Sequence, residues 1–79
     1  MTPASAEYAA LASLARTQRV LAGQHRIRAR EAMAAGNDAE FTRHAAEARR
    51  LFADARWHLD RARMAVRHIT TNTTDRIAA

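Results

Sequence analysis

The sequence predicts an all-α fold: an antiparallel hairpin of two helices that dimerises into a four-helix bundle. Three observations lead there. The 79 residues hold one Pro and two Gly, too little turn chemistry for a β-rich fold. Two long runs of Ala, Leu, Arg, Gln and Glu flank Gly36, and these are strong helix formers. Of the apolar residues, 21 are Ala and only 17 are larger, a thin core for a chain of this length on its own.

The first helix is expected over about 4–35. Thr2 is a fitting cap and Pro3 a fitting first helical residue, because Pro lacks only an N–H that has no helical partner there. Gly36 suits a left-handed C-cap. Asn37 followed by Glu40 at a three-residue spacing has the pattern of a capping box. With a turn at 36–38, the second helix spans about 38–69. It ends in the run Thr70, Thr71, Asn72, Thr73 and Thr74, residues that compete with the helix through local side-chain bonds, so 70–79 reads as a flexible tail. Two helices of about 48 Å each, at 1.5 Å per residue, joined by so short a turn must fold back on one another. The whole chain, 1–79, is a single domain.

Helical spacing collects Tyr8, Leu11, Leu14, Ala15, Leu21, Ala22, Ala29, Ala32 and Met33 on one face of the first helix. On the second it collects Phe41, Ala45, Ala48, Leu51, Phe52, Ala55, Leu59, Ala62, Val66 and Ile69. Facing one another, these stripes predict burial of Leu11, Leu14, Leu21, Leu51, Phe52, Leu59 and Val66. Gln18 and His25 lie within the first stripe, where polar groups set register or orientation. Val20 with Ile27, and Trp57 with Met64, form apolar pairs on the backs of the helices. They are expected to join an interface, because a hairpin has no enclosed core and needs another layer.

The net charge is +5, and every basic residue except His is Arg. Arg16, Arg19, Arg26 and Arg30 recur along one flank of the first helix, and Arg49, Arg56, Arg63 and Arg67 along the matching flank of the second, with Asp60 among them. In an antiparallel hairpin these flanks fall on one face. The other face mixes Glu31, Glu47 and Asp54 with Arg28, Arg43, Arg50 and Arg61, at spacings that pair Glu47 with Arg50 and with Arg43. The basic face suits phosphates or an acidic protein surface, since guanidinium recognises both in bidentate fashion.

Several function classes fall away. Without Cys there is no disulfide framework, thiolate site or Cys nucleophile. Ser5 and Ser13 lack a nearby His, and no Gly-rich phosphate loop exists. The four His do not form the Glu-x-x-His pairs of a di-metal bundle, so no metal, no cofactor and no enzymatic activity are expected. The apolar stretch from Ala9 to Ala15 is far short of a membrane span, and no secretory signal is visible, which points to the cytoplasm. Arg without Lys, beside abundant Ala, suggests a GC-rich genome.

The hairpin plan is similar to that of the ROP four-helix bundle, a dimer of helical hairpins, which implies the same architecture and leaves function open. The expected function is that of a small binding or regulatory protein, such as a phage or mobile-element accessory protein. It would act on an acidic protein surface through its Arg-rich face and exposed apolar residues. The alternatives are a DNA- or RNA-binding hairpin dimer using Arg19, Arg26, Arg56 and Arg63, and a structural assembly subunit.

Overall fold

The structure, a computed structural model, describes the backbone from Pro3 to Ala78 and the side chains of residues 3 and 5–67. It contains two helices, α1 (Pro3–Ala34) and α2 (Asp38–Ala78), packed as an antiparallel hairpin. Among the described residues there is no strand. The molecule measures 65 × 18 × 12 Å, two helices wide and one layer deep.

The turn follows from Gly36 and Asn37. Gly36 takes φ 73°, the left-handed region that costs a residue with a Cβ about 1–2 kcal/mol. The Gly36 N–H donates to the Met33 carbonyl at 3.1 Å and the Asn37 N–H to the Ala32 carbonyl at 2.8 Å, the paired bonds of a Schellman motif. Asn37 Oδ1 then accepts the Glu40 N–H at 3.1 Å and opens α2. The reciprocal half of the expected capping box does not form. The Asn37 N–H is already committed to Ala32, and the Glu40 carboxylate turns to Arg43 and His44. Asp38 and Glu40 in the first turn of α2 oppose the positive end of the helix dipole. Thr2, the expected cap of α1, lies outside the described residues.

α2 does not stop at Ile69 but runs on to Ala78, so the predicted tail over 70–79 is helical as far as that residue. Thr and Asn lower helix propensity by no more than about 0.7 kcal/mol each. No Gly or Pro follows Gly36 to terminate the helix.

The core is a seam of alanine. Ala15, Ala22 and Ala29 recur every seven residues on α1, and Ala48, Ala55 and Ala62 do so on α2. All six are buried, Ala15 and Ala22 completely. Ala12 and Leu51 complete the buried apolar set among the described residues. Of the seven large residues expected inside, only Leu51 is buried. Leu11 and Leu59 are half-buried, while Leu14, Leu21, Phe52 and Val66 are exposed. The reason is steric. A methyl group at every seventh position lets the backbones approach closely, and the bulkier neighbours in each stripe are displaced to the flanks of the contact.

Ala22→Leu places a branched side chain where no space exists, and destabilises the hairpin by about 1–3 kcal/mol in urea unfolding. Gly36→Ala costs about 1 kcal/mol through its backbone alone, since an added Cβ meets nothing within 4 Å. Gly23→Ala, equally free of neighbours but inside a helix, stabilises by about 1 kcal/mol; the two Gly variants therefore move the unfolding midpoint in opposite directions.

Candidate functional site

The seam is interrupted by two polar pairs that cross between the helices. His58 Nδ1–H donates to Gln18 Oε1 at 2.9 Å. His25 Nδ1 and His44 Nδ1 lie 2.9 Å apart, with ring centroids at 5.1 Å. His44 Nε2 faces Glu40 Oε2 at 3.2 Å, so that nitrogen carries the proton when the imidazole is neutral. His44 Nδ1 is then the acceptor and His25 Nδ1–H the donor. The relay His25–His44–Glu40 is thereby directional. Gln18 and His25 thus meet partners on the opposite helix.

Two broad faces lie on either side of the seam. On one, His25, Arg28, Arg43, His44 and Glu47 line a shallow cavity of about 350 Å³. The same face carries a charge network. Glu40 accepts from Arg43, and Arg50 binds Glu47 and reaches Asp54 Oδ2 at 3.2 Å. The Glu47–Arg50 pair is the expected one, whereas Arg43 chooses Glu40 over Glu47. The hydrogen bond from Arg43 holds the Glu40 carboxyl below its ordinary value, with the charges of Arg43 and His44 helping against desolvation. The bond from Arg50 does the same for Glu47, and in return Glu47 raises Arg50.

The opposite face is the basic one. All eight arginines of the predicted set are exposed. Arg26, Arg30 and Arg49 come together around a groove of about 390 Å³, whose apolar surfaces are Ala29, Phe41, Ala45, Ala48 and Phe52. The Arg26 guanidinium lies 5.9 Å from the Phe52 ring centre, within cation–π range. Arg56 lines a separate depression on α2 with Phe52, Trp57 and Asp60. Arg63 reaches Asp60 at 3.6 Å. Arg16, Arg19 and Arg67 have no acidic partner among the described residues.

The four predicted interface residues are all exposed, but they do not form one patch. Helical phase puts Val20 and Ile27 on the outer side of α1. Trp57 and Met64 continue, at seven-residue steps, the α2 row of Arg43 and Arg50. Trp57 packs edge-on to His58, with ring centres 5.0 Å apart, and carries the Arg61 guanidinium 5.5 Å from its ring centre. Sequence reasoning missed Phe52 as a groove wall, and Leu14 and Leu21 as surface residues. The signal for all three was the strict seven-residue recurrence of Ala, which marks the true line of contact. Among the described residues, no group of three or more His, Asp or Glu is placed to hold a metal ion, and no helix is long and apolar enough to cross a membrane.

The lowered carboxyl values set a pH dependence. Ionised Glu40 and Glu47 stabilise the fold fully above the ordinary value of 4.5, and this stabilisation is lost as pH falls through their depressed values. The melting temperature of the native chain therefore drops on acidification below about pH 5. The double variant Arg43→Ala/Arg50→Ala, melted over the same series, shows a flatter acid limb.

Comparison of the chain with protein-family models, curated proteins and solved structures returns no match.

Proposed function

We propose that this protein is a small non-enzymatic binding protein. It works as a homodimer and docks an acidic, amphipathic segment of a partner protein on its Arg-lined face. The observation that carries this reading is the groove in which Arg26, Arg30 and Arg49 surround an apolar surface of Phe41, Ala45 and Phe52. Three guanidiniums supply bidentate sites for carboxylates, and the aromatic and methyl surface between them takes the apolar stripe of a helix. Helix-in-groove recognition uses this combination of apolar anchors and flanking charge.

A nucleic-acid ligand would use the same arginines differently. Phosphate contacts need charge spread along the face and gain little from Phe52. The two ligands separate in a fluorescence anisotropy titration with a labelled amphipathic helical peptide edged with Glu, and with labelled duplex DNA and single-stranded RNA. For the peptide, Arg26→Glu/Arg30→Glu/Arg49→Glu and Phe52→Ala each weaken binding at least about tenfold, or about 1.4 kcal/mol. Salt between about 50 and 200 mM has a modest effect on that affinity. Tight binding of DNA or RNA that falls by orders of magnitude over the same salt range, and is indifferent to Phe52→Ala, would replace the protein-partner reading with a nucleic-acid one.

A further inference from the structure

The face opposite the arginine groove has a different composition, and charge decides what can cover it. Arg28 and Arg43 line one cavity there, with His25, His44 and Glu47 between them; away from the turn, seven-residue steps lead from Arg28 to Leu21 and Leu14 on α1, and from Arg43 to Arg50, Trp57 and Met64 on the outer side of α2. The half of this face near the turn holds the ion pairs of Arg43 with Glu40 and of Arg50 with Glu47 and Asp54, with Arg28 beside them. The half far from the turn carries large exposed apolar residues, Leu14, Leu21, Trp57 and Met64 at 43, 42, 58 and 59% exposed, with the Arg61 guanidinium over the Trp57 ring. No large side chain is fully buried among the described residues, so the bulk of the apolar volume of this hairpin lies outside its own seam.

We infer that the Leu14–Leu21–Trp57–Met64 patch is the surface on which a second copy of this chain docks, leaving the arginine grooves facing outward. This rests on the self-association in the proposed function and assigns the face that makes it. Two arguments select a second copy. The first is electrostatic. Two copies meeting through their basic faces would stack like-charged arginines against one another. The patch and its flanking ion-pair network are close to neutral, so copies meet there without that repulsion. The second is area. A compact monomer of 8.8 kDa exposes about 4,800 Å², whereas this chain exposes 6004 Å². The excess, about 1,200 Å² over the whole elongated chain, leaves room for the roughly 800 Å² that each partner contributes to a stable interface. A two-fold arrangement is self-complementary on such a patch. It converts a one-layer slab into two layers with Trp57, the only Trp in the chain, at the interface, where an aromatic anchor contributes most.

The test is sedimentation equilibrium of the full chain, of Leu14→Glu/Leu21→Glu, and of Arg26→Glu/Arg30→Glu/Arg49→Glu. The native chain and the arginine variant sediment as dimers. The leucine variant dimerises at least about tenfold more weakly, with its Trp57 emission shifted to the red. Should the leucine variant lose its helical circular dichroism, the face is read in a background that has no native cysteine. Single variants Leu14→Cys and Leu21→Cys are oxidised beside Arg30→Cys, and the patch variants give the disulfide-linked dimer while Arg30→Cys does not. A native chain that stays monomeric at high micromolar concentration overturns both the face and the self-association. A native dimer that is indifferent to the leucine substitutions, or that crosslinks through Arg30→Cys alone, overturns the face and leaves self-association standing.

Discussion

Close approach of two helices along a line of methyl groups is the constraint on which the other features of this molecule depend. Ala15, Ala22 and Ala29 on α1, and Ala48, Ala55 and Ala62 on α2, leave no room for larger side chains between the backbones. Each buried methyl-sized group contributes about 0.8 kcal/mol, against about 1.5–3 kcal/mol for a buried Leu or Phe. The seam therefore gives geometry more than it gives stability. It also determines where the large apolar residues go, since a side chain excluded from the contact line can only occupy a flank. Phe52 on one face, and Leu14 and Leu21 on the other, are surface residues for this reason.

A row of methyl groups does little to define register, because alanine packs against alanine at any seven-residue offset. The polar pairs supply what the seam lacks. Gln18 with His58, and His25 with His44, join the helices at two levels, and sliding one helix past the other would leave part-buried donors and acceptors without partners, at about 1–3 kcal/mol each. The Schellman turn at Gly36 and the Asn37 cap limit the same freedom at the closed end. Register and turn agree, and that agreement between local and long-range choices is what a well-specified fold requires.

With one layer and two open faces, the hairpin separates charge by face. The arginines that surround the groove come from both helices, and only the antiparallel register makes Arg26 and Arg30 neighbours of Arg49. Across the molecule the acids and bases are interleaved and satisfy one another. A face that is strongly basic and a face that is nearly neutral cannot serve the same kind of partner. In the proposed assembly, the neutral face meets a second copy and the basic face stays free for an acidic ligand, so the two roles do not compete for surface.

Much of the fold was legible because helices are specified locally. The two helices, the Gly36–Asn37 turn, the first helical position at Pro3 and the Glu47–Arg50 pair follow from propensity, capping chemistry and spacing along one chain. The meeting of Arg26, Arg30 and Arg49 was legible as well, given an antiparallel hairpin. Burial was not legible in the same way. Hydrophobic periodicity names a stripe but does not say which of its members lies on the line of contact. That depends on the distance between helix axes, a property of two elements together. For the same reason the cross-helix partners of Gln18 and His25 and the choice of Glu40 by Arg43 appear only in the tertiary structure. The end of α2 belongs to a third kind, where a weak local preference in the Thr-rich run yields to the absence of any residue that would break the helix. The sequence by itself determined which segments are helices and which flanks are charged, because those depend on neighbours along the chain. The packing distance set by alanine decided which side chains became core, which became groove and which were left for a partner.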